Sequence, residues 1–132
     1  MADYQLIDVE TRTNGAVVVT IKETQLSTLI NTEMLQSELH SVVKTLQPKI
    51  LVIDFDQVRL ISSSAIGMLL RIRKELIDFG GQLRLCRVSV PVGEIYRVLN
   101  LDQTRLLVFD TVEEAVLAQV VESNEVREVW ED

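Results

Sequence analysis

The sequence contains very little cysteine and histidine, and that scarcity excludes two kinds of site. Its 132 residues include one cysteine, Cys86, and one histidine, His40. A single cysteine cannot form a disulfide within the chain, and this pair cannot supply the ligand set of an ordinary zinc site. Cys86 lies between Leu85 and Arg87 in a strand-like run, so we interpret it as a small buried hydrophobic residue. His40 has no nucleophile or acid spaced to meet it, so we interpret it as solvated and without a role.

Long apolar runs and an excess of basic residues are also missing. No apolar stretch approaches the roughly 18 residues of a transmembrane helix, and residues 1–4 lack the features of a signal peptide. We therefore expect a cytoplasmic protein that does not insert into a membrane. Thirteen basic residues against twenty acidic ones give a net charge of −7. This charge opposes binding to phosphate backbones, so nucleic acid is not expected as a direct partner.

The patterns of common catalytic sites are absent as well. No nucleophile with its base and no pair of catalytic carboxylates stands out, and Gly80-Gly81 lacks the spacing of a nucleotide-binding loop. Asp54 and Asp56, at the end of a strand, resemble the acidic site of response-regulator receivers. The second acidic cluster and the lysine that such a site needs are missing, so we interpret these two acids as part of a solvated loop. We predict a protein that is not an enzyme and holds no cofactor or metal.

The apolar residues that are present alternate between strand-like and helix-like patterns. Residues 4–9 and 16–21 favour strands, and Asn14-Gly15 between them is a strong hairpin signal. The run Ile50 to Ile53 does not alternate with polar residues, which is typical of a strand that is covered on both faces. A loop is predicted over 22–30, followed by a helix that Asn31 or Thr32 caps, whose apolar face runs from Leu35 to Leu46, and which Pro48 ends. The next predicted elements are a helix over 65–76, a strand from Leu83 to about Val88 and a short helix from Pro91 to about Asn100. A strand over 106–109 and a last helix with a Thr111–Glu114 capping box complete the order.

This order predicts an α/β fold. The expected architecture is a single domain with a mostly parallel central sheet, an antiparallel N-terminal strand pair and about four helices. A chain of 132 residues is the size of one domain. We place the domain at residues 1–121, followed by a weakly ordered acidic tail over 122–132. Trp130 in this tail could alternatively anchor a contact with a partner or a second copy.

Three consecutive serines, Ser62 to Ser64, stand between the strand that ends at Asp54 and the helix over 65–76. The first four amides of a helix have no partner within it, and a serine oxygen can accept a hydrogen bond from one of them. Ser62 or Ser63 can therefore be the N-cap, a role that needs no further function. The positive end of the helix dipole also tolerates an anion, so a phosphoserine would fit there.

The segment from Asp54 to Leu70, DFDQVRLISSSAIGMLL, resembles the signature region of STAS-domain anti-sigma factor antagonists. That signature reads roughly Asp-Ser-Ser-Gly-Leu-Gly between apolar residues. Placed without gaps, the match puts Ser62 at the Asp position, Ser63 at the phosphoacceptor, Ser64 at the second serine, Ala65 at the first glycine and Gly67 at the second. The similarity continues through 80–86 and 99–102 and covers most of residues 15 to 120. The family's Gly-Glu-Leu-Asp turn is replaced here by residues 23–27.

The resemblance implies a binding module in transcription regulation that is switched by phosphorylation. The unphosphorylated protein, as a monomer or homodimer, would sequester an anti-sigma factor that is also a serine kinase. Phosphorylation of Ser63 would end the binding, and a phosphatase would restore it. Two alternatives remain, a STAS scaffold subunit of a signalling assembly and an accessory STAS subunit of a lipid-transport ATPase. The residues predicted to bind the partner are Ser62, Ser64, Asp56, Ile66 and Arg71.

Overall fold

The sheet begins with the hairpin that Asn14-Gly15 predicts. The structure, a computed structural model, describes residues 4–92 and 106–119. Gly15 has a φ of +88°, a left-handed conformation that glycine adopts without steric penalty, and its amide donates to the Arg12 carbonyl at 2.9 Å. In chain order the elements are β1 (Ile7–Thr11), β2 (Val17–Ile21), β3 (Gln25–Leu26), α1 (Leu29–Leu46), β4 (Ile50–Asp54), β5 (Leu60–Ile61), α2 (Ser63–Ile77), β6 (Gln82–Cys86), β7 (Leu107–Phe109) and α3 (Val112–Leu117).

Five of these strands form one mixed sheet within the described residues. Its order is β1-β2-β4-β6-β7, with β1 antiparallel to β2 and every later pair parallel. The middle strand is β4, whose Leu51 and Ile53 lie in the main core while Val52 lies in a second cluster on the opposite face. All three side chains are fully buried. The predicted interior strand, and the α/β fold with its antiparallel N-terminal pair, are therefore confirmed.

Helices cover the sheet on both faces. From β2 to β7, each parallel strand lies on the same side of the one before it. Right-handed crossovers therefore place the connecting helices α1 and α2 on one face of the sheet. Accordingly α1 and α2 pack against each other over the main core. The other face is covered by α3, whose Ala115 and Val116 pack with Val18, Val52 and Cys86. Cys86 is thus buried, as predicted, and burial raises the pKa of its thiol to about 12.

A second, two-stranded parallel sheet lies where part of a loop was predicted. β3 pairs with β5, so that Gln25 lies opposite Leu60 and Leu26 opposite Ile61. The predicted loop over residues 22–30 is wrong in this part because a two-residue strand is too short to show a periodicity. The predicted cap of α1 is also wrong. Thr28 is the N-cap, and its hydroxyl accepts from the Asn31 amide at 3.1 Å, so the helix begins three to four residues earlier than expected.

The structure confirms the predicted end of α2 and the predicted start of α3. Gly80, with a φ of +86°, follows α2, and the Thr111 hydroxyl accepts from the Glu114 amide at 3.1 Å in the expected capping box. Strand β6 ends at Cys86, so Val88 lies outside it. Residues 90–92 are helical, whereas the rest of the predicted short helix, the boundary at residue 121 and the tail with Trp130 lie outside the described residues. Across the described residues, every helix is too short or too polar to span a membrane.

Candidate functional site

The serine loop, Ser62 to Ser64, joins β5 to α2. The Ser62 amide donates to the Leu26 carbonyl at 2.9 Å, which fixes the loop to β3. Ser62 has an extended backbone, with φ −95° and ψ 165°, and its Oγ accepts from the Ala65 amide at 3.2 Å. Its Oγ also lies 3.1 Å from the Ser64 Oγ, close enough for a hydrogen bond between the two hydroxyls. Of the two capping residues left open by the sequence, Ser62 is therefore the one that caps α2.

Ser63 differs from both of its neighbours. It is the first residue of α2 and is exposed, and within the described residues its hydroxyl forms no hydrogen bond. Ser62 is half-buried and Ser64 is exposed, but both hydroxyls are engaged with each other. The free, solvent-facing hydroxyl is therefore that of Ser63, at the position predicted for the phosphoacceptor.

Ser62 caps α2 whereas Ser63 is exposed and its hydroxyl is unbonded in the described part of the chain, so replacing each of them should change the stability of the domain by a different amount. Ser62→Ala is expected to lower the free energy of unfolding by about 1 kcal/mol, because the Ala65 amide loses its acceptor. Ser63→Ala is expected to change it by less than about 0.5 kcal/mol, because no hydrogen bond is lost. Urea unfolding of both variants measures these differences. Equal losses from the two variants would contradict the assignment of the cap.

The predicted partner-binding residue Ile66 lies in the core. Only 3% of its surface is exposed, and it packs in the same cluster as Ala65 and Leu69. Because a side chain buried to this extent presents nothing to a partner, its prediction as a surface residue is corrected. The apolar stripe of α2 is wider than the sequence spacing suggested, since Ile66 and Met68 join it beside Ala65, Leu69, Ile72 and Leu76.

Asp56 and Arg71 are both exposed surface residues. Arg71 is exposed on α2 and its Nη2 donates to Gln36 Oε1 on α1 at 3.2 Å. The Asp56 side chain is 54% exposed and lies 3.8 Å from Arg87 Nη1. Among the described residues, neither has a hydrogen bond to the serines. Within the described residues, a hydrogen bond therefore links Ser62 to Ser64, but none links the serines to Asp56 or Arg71.

Asp54 is not a solvated acid, contrary to the prediction. Its side chain is 3% exposed and receives two hydrogen bonds from Arg87, from Nη2 to Oδ2 at 2.5 Å and from Nε to Oδ1 at 3.0 Å. Its Oδ1 also accepts from the Asp56 amide at 3.0 Å. The hydrogen bond to Asp54 raises the pKa of Arg87, which therefore stays charged. Residue spacing gave no signal of this pair because Asp54 ends β4 and Arg87 follows β6, 33 residues later in the chain.

Exposed apolar residues on the segments that flank the serine loop were missed from the sequence. Leu29 and Ile30 begin α1 just after β3 and are 66% and 73% exposed, and Leu60 in β5 is 46% exposed. The parallel pairing of β3 and β5 sends the chain into α1 and into α2 from the same edge. These apolar side chains therefore belong to the end of the molecule that carries the serines.

The opposite end of the two long helices carries a small cavity of about 230 Å³. Its lining includes His40, Lys44 and Glu75, and His40 Nδ1 lies 2.6 Å from Glu75 Oε1. The His40 side chain is 50% exposed, as predicted, although it has an acidic neighbour that the sequence did not reveal. In the described part of the chain, no cluster of three or more His, Cys, Asp or Glu side chains is arranged to hold a metal ion.

Comparison with known proteins identifies the fold. The family model for the STAS domain matches residues 8–115. The structure is similar to that of an anti-sigma-factor antagonist (STAS) domain protein from Planctomyces limnophilus, with a TM-score of 0.73 and 27% identity over 85% of this chain and 95% of that one. A search of curated proteins found no match.

More distant structures share the fold. The anti-sigma factor antagonist SpoIIAA in its unphosphorylated form has a TM-score of 0.68 and 21% identity over 88% of this chain and 99% of that one. The Bacillus cell fate determinant SpoIIAA in its phosphorylated form has a TM-score of 0.62 and 20% identity over 83% of this chain and 96% of that one. A sulfate transporter family protein from Wolinella succinogenes has a TM-score of 0.64 and 14% identity over 92% of this chain and 90% of that one.

Proposed function

This chain belongs to the STAS domain family, and from that premise we propose that it is an anti-sigma factor antagonist. In its unphosphorylated form it sequesters an anti-sigma factor that is also a serine kinase. The observation that carries the proposal is the free, exposed hydroxyl of Ser63 between two serines that bond to each other. The likeness to the Planctomyces limnophilus anti-sigma-factor antagonist supports it. The protein acts by binding, with no catalytic role of its own.

Phosphate on Ser63 ends the binding by its charge and bulk. It adds about −1.5 to −2 charges and three acceptor oxygens to a loop whose three side chains carry no formal charge. At the N-terminus of α2 the helix dipole favours this charge, so the fold persists. In a packed interface the same group must be desolvated against the partner, which weakens the complex. A phosphatase then returns the protein to its binding form.

The proposed partner surface surrounds Ser63. It includes Ser62 and Ser64, the charged Asp56 and Arg71, and the exposed apolar residues Leu29, Ile30 and Leu60. The apolar members supply area that can be removed from water, while the charged members restrict which partner fits. Ile66 supports this surface from below by packing in the core.

The decisive experiment compares Ser63 variants after the partner has been captured from the source cell with the wild-type protein. Ser63→Ala is expected to bind as tightly as the unphosphorylated wild type. Stoichiometric phosphorylation of Ser63 is expected to weaken binding at least tenfold, about 1.4 kcal/mol. Ser63→Asp should show part of that loss, because aspartate carries one charge and fewer acceptors. Isothermal titration measures each affinity, and Ser37→Ala, at an exposed serine of α1 that is not part of the proposed surface, is the matched control.

Phosphopeptide mass spectrometry of protein isolated from its own cell identifies the modified serine. Phosphate is expected on Ser63 alone, and Ser62→Asp is expected to raise the rate of modification. Phosphate on Ser62 or Ser64 instead, or undiminished binding by protein fully phosphorylated on Ser63, would refute the mechanism.

Native mass separates this function from the two alternatives. A monomer or homodimer that co-purifies with a kinase supports the switch, whereas a large homo-assembly supports the scaffold. Co-purification with membrane ATPase subunits supports an accessory role in lipid transport.

A further inference from the structure

A series of hydrogen bonds connects the end of the central sheet to the serine loop. The connecting segment, residues 55–61, is called the link below. The Phe55 amide donates to the Cys86 carbonyl at 2.9 Å, and the Val58 amide donates to the Phe55 carbonyl at 2.9 Å. At the far end, the Ser62 amide donates to the Leu26 carbonyl at 2.9 Å. The link is therefore held by the sheet at one end and by β3 at the other.

Arg87, which holds the near end of the link, has an unusual backbone conformation of its own. Its φ is +55°, a region that residues other than glycine occupy at some cost. Its amide donates to the Phe109 carbonyl of β7 at 3.2 Å, while its guanidinium binds the Asp54 carboxylate with two hydrogen bonds. The surrounding contacts thus maintain a strained backbone and direct the side chain back toward β4.

The Asp54 carboxylate connects Arg87 to the link. Both of its oxygens accept from Arg87, and Oδ1 also accepts from the Asp56 amide at 3.0 Å. Two residues beyond Arg87, the Ser89 hydroxyl donates to the Val58 carbonyl at 3.2 Å. The segment that follows β6 therefore holds the link at two points, one of them through an ion pair whose carboxylate is buried.

We infer that Asp54 and Arg87 are positioning residues, whose ion pair fixes the link and thereby the place at which Ser63 is presented to its partner. This inference rests on the proposed function. Arg87 has no hydrogen bond to Ser63 among the described residues and acts through Asp54 and the link. Its side chain is 43% exposed, so it can be altered from the surface, whereas the Asp54 side chain is 3% exposed.

Hydrogen exchange of the full chain tests whether the pair holds the link. In Arg87→Ala the amides of Asp56, Val58 and Ser62 are expected to exchange at least tenfold faster, while the amides of β2 keep their protection. Arg87→Lys should restore part of the protection, because an ammonium group retains the charge but cannot form the two-point contact. The matched control is Arg12→Ala, which removes another arginine whose side chain, 34% exposed, pairs with Glu10 at 2.7 Å. It should leave the link unchanged.

A double variant guards against unfolding, since Arg87→Ala leaves a buried carboxylate without its partner. Asp54→Asn combined with Arg87→Met removes both charges together. The folded double variant is expected to show the same fast exchange in the link. Unchanged exchange in the link, or an equal increase in β2 and in the link, would overturn the inference.

Phosphate occupancy on Ser63 separates this inference from the proposed function. In the source cell, Arg87→Ala is expected to carry at least threefold less phosphate on Ser63 than Arg12→Ala, with Arg87→Lys in between. Equal occupancy in all variants would overturn the positioning role and leave the proposed function standing. A wild-type protein without phosphate on Ser63 would refute the proposed function, while the exchange data would still decide whether the pair holds the link.

Discussion

Replacing Ile53 by aspartate is expected to abolish the folded state. Ile53 is fully buried in β4, where it lies opposite Val19 on one side and Leu85 on the other. A carboxylate at this point must be desolvated without a partner, which costs several kcal/mol. A domain of this size has only about 5–15 kcal/mol of stability in total. Circular dichroism is expected to show loss of the cooperative melt at neutral pH.

Two control variants separate burial from the substitution itself. Ile53→Val keeps the site apolar and is expected to cost about 0.5–1.5 kcal/mol. Arg71→Ala changes an exposed residue of α2 and is expected to cost less than about 1 kcal/mol, because the only side-chain hydrogen bond of Arg71 in the described residues is to Gln36 at 3.2 Å. If thermal melts show that Ile53→Asp and Arg71→Ala lose comparable amounts of stability, the placement of β4 in the core is contradicted.

Gly81→Ala is expected to cause the second largest loss of stability, about 2–3 kcal/mol. A Cβ at this position would lie 2.6 Å from the Pro48 carbonyl oxygen and 3.2 Å from the Leu76 carbonyl oxygen. Both neighbours are backbone atoms, so relief requires α2 to move away from the segment before β4. The Gly81 amide donates to that same Leu76 carbonyl at 2.7 Å, and this bond would be strained as well. Chemical denaturation measures the loss.

The matched control is the same substitution at Gly67. This residue lies inside α2, and the nearest atom to an added Cβ is Arg71 Nη1 at 3.6 Å, an ordinary contact with a flexible side chain. Alanine favours the helix over glycine by roughly 0.8–1 kcal/mol, so Gly67→Ala is expected to stabilise the domain. Equal effects of the two substitutions would show that the close approach at Gly81 does not limit the fold.

The main architecture could be predicted because its elements repeat a pattern over many residues. The unbroken apolar run of β4, the helical stripe of α2 and the Asn14-Gly15 turn each reflect a local physical preference, and the structure confirms all three. The serine loop was also located, because a helix must begin somewhere after β4 and serine is a strong N-cap. The choice of Ser62 as the cap required the observed backbone angles.

Other features depend on contacts between distant segments and left no local pattern. The burial of Asp54 becomes evident only when Arg87 is brought beside it by the pairing of β4 and β6. Strands β3 and β5 have two residues each, so only their mutual pairing defines them. Ile66 was assigned to the surface by resemblance alone, although its position beside Ala65 could have indicated the core.

The order of the strands has a consequence for how the chain is made. In the described part of the sheet each parallel strand joins the outer edge of the strand synthesised before it, and none is inserted between two earlier ones. A chain that leaves the ribosome at about 5–20 residues per second can therefore assemble the sheet in the order of synthesis. Until β6 emerges, the outer edge of β4 has unpaired backbone groups, and such edges invite pairing with other chains. The nascent protein therefore has an aggregation-prone sheet edge from the time β4 emerges until β6 pairs with it.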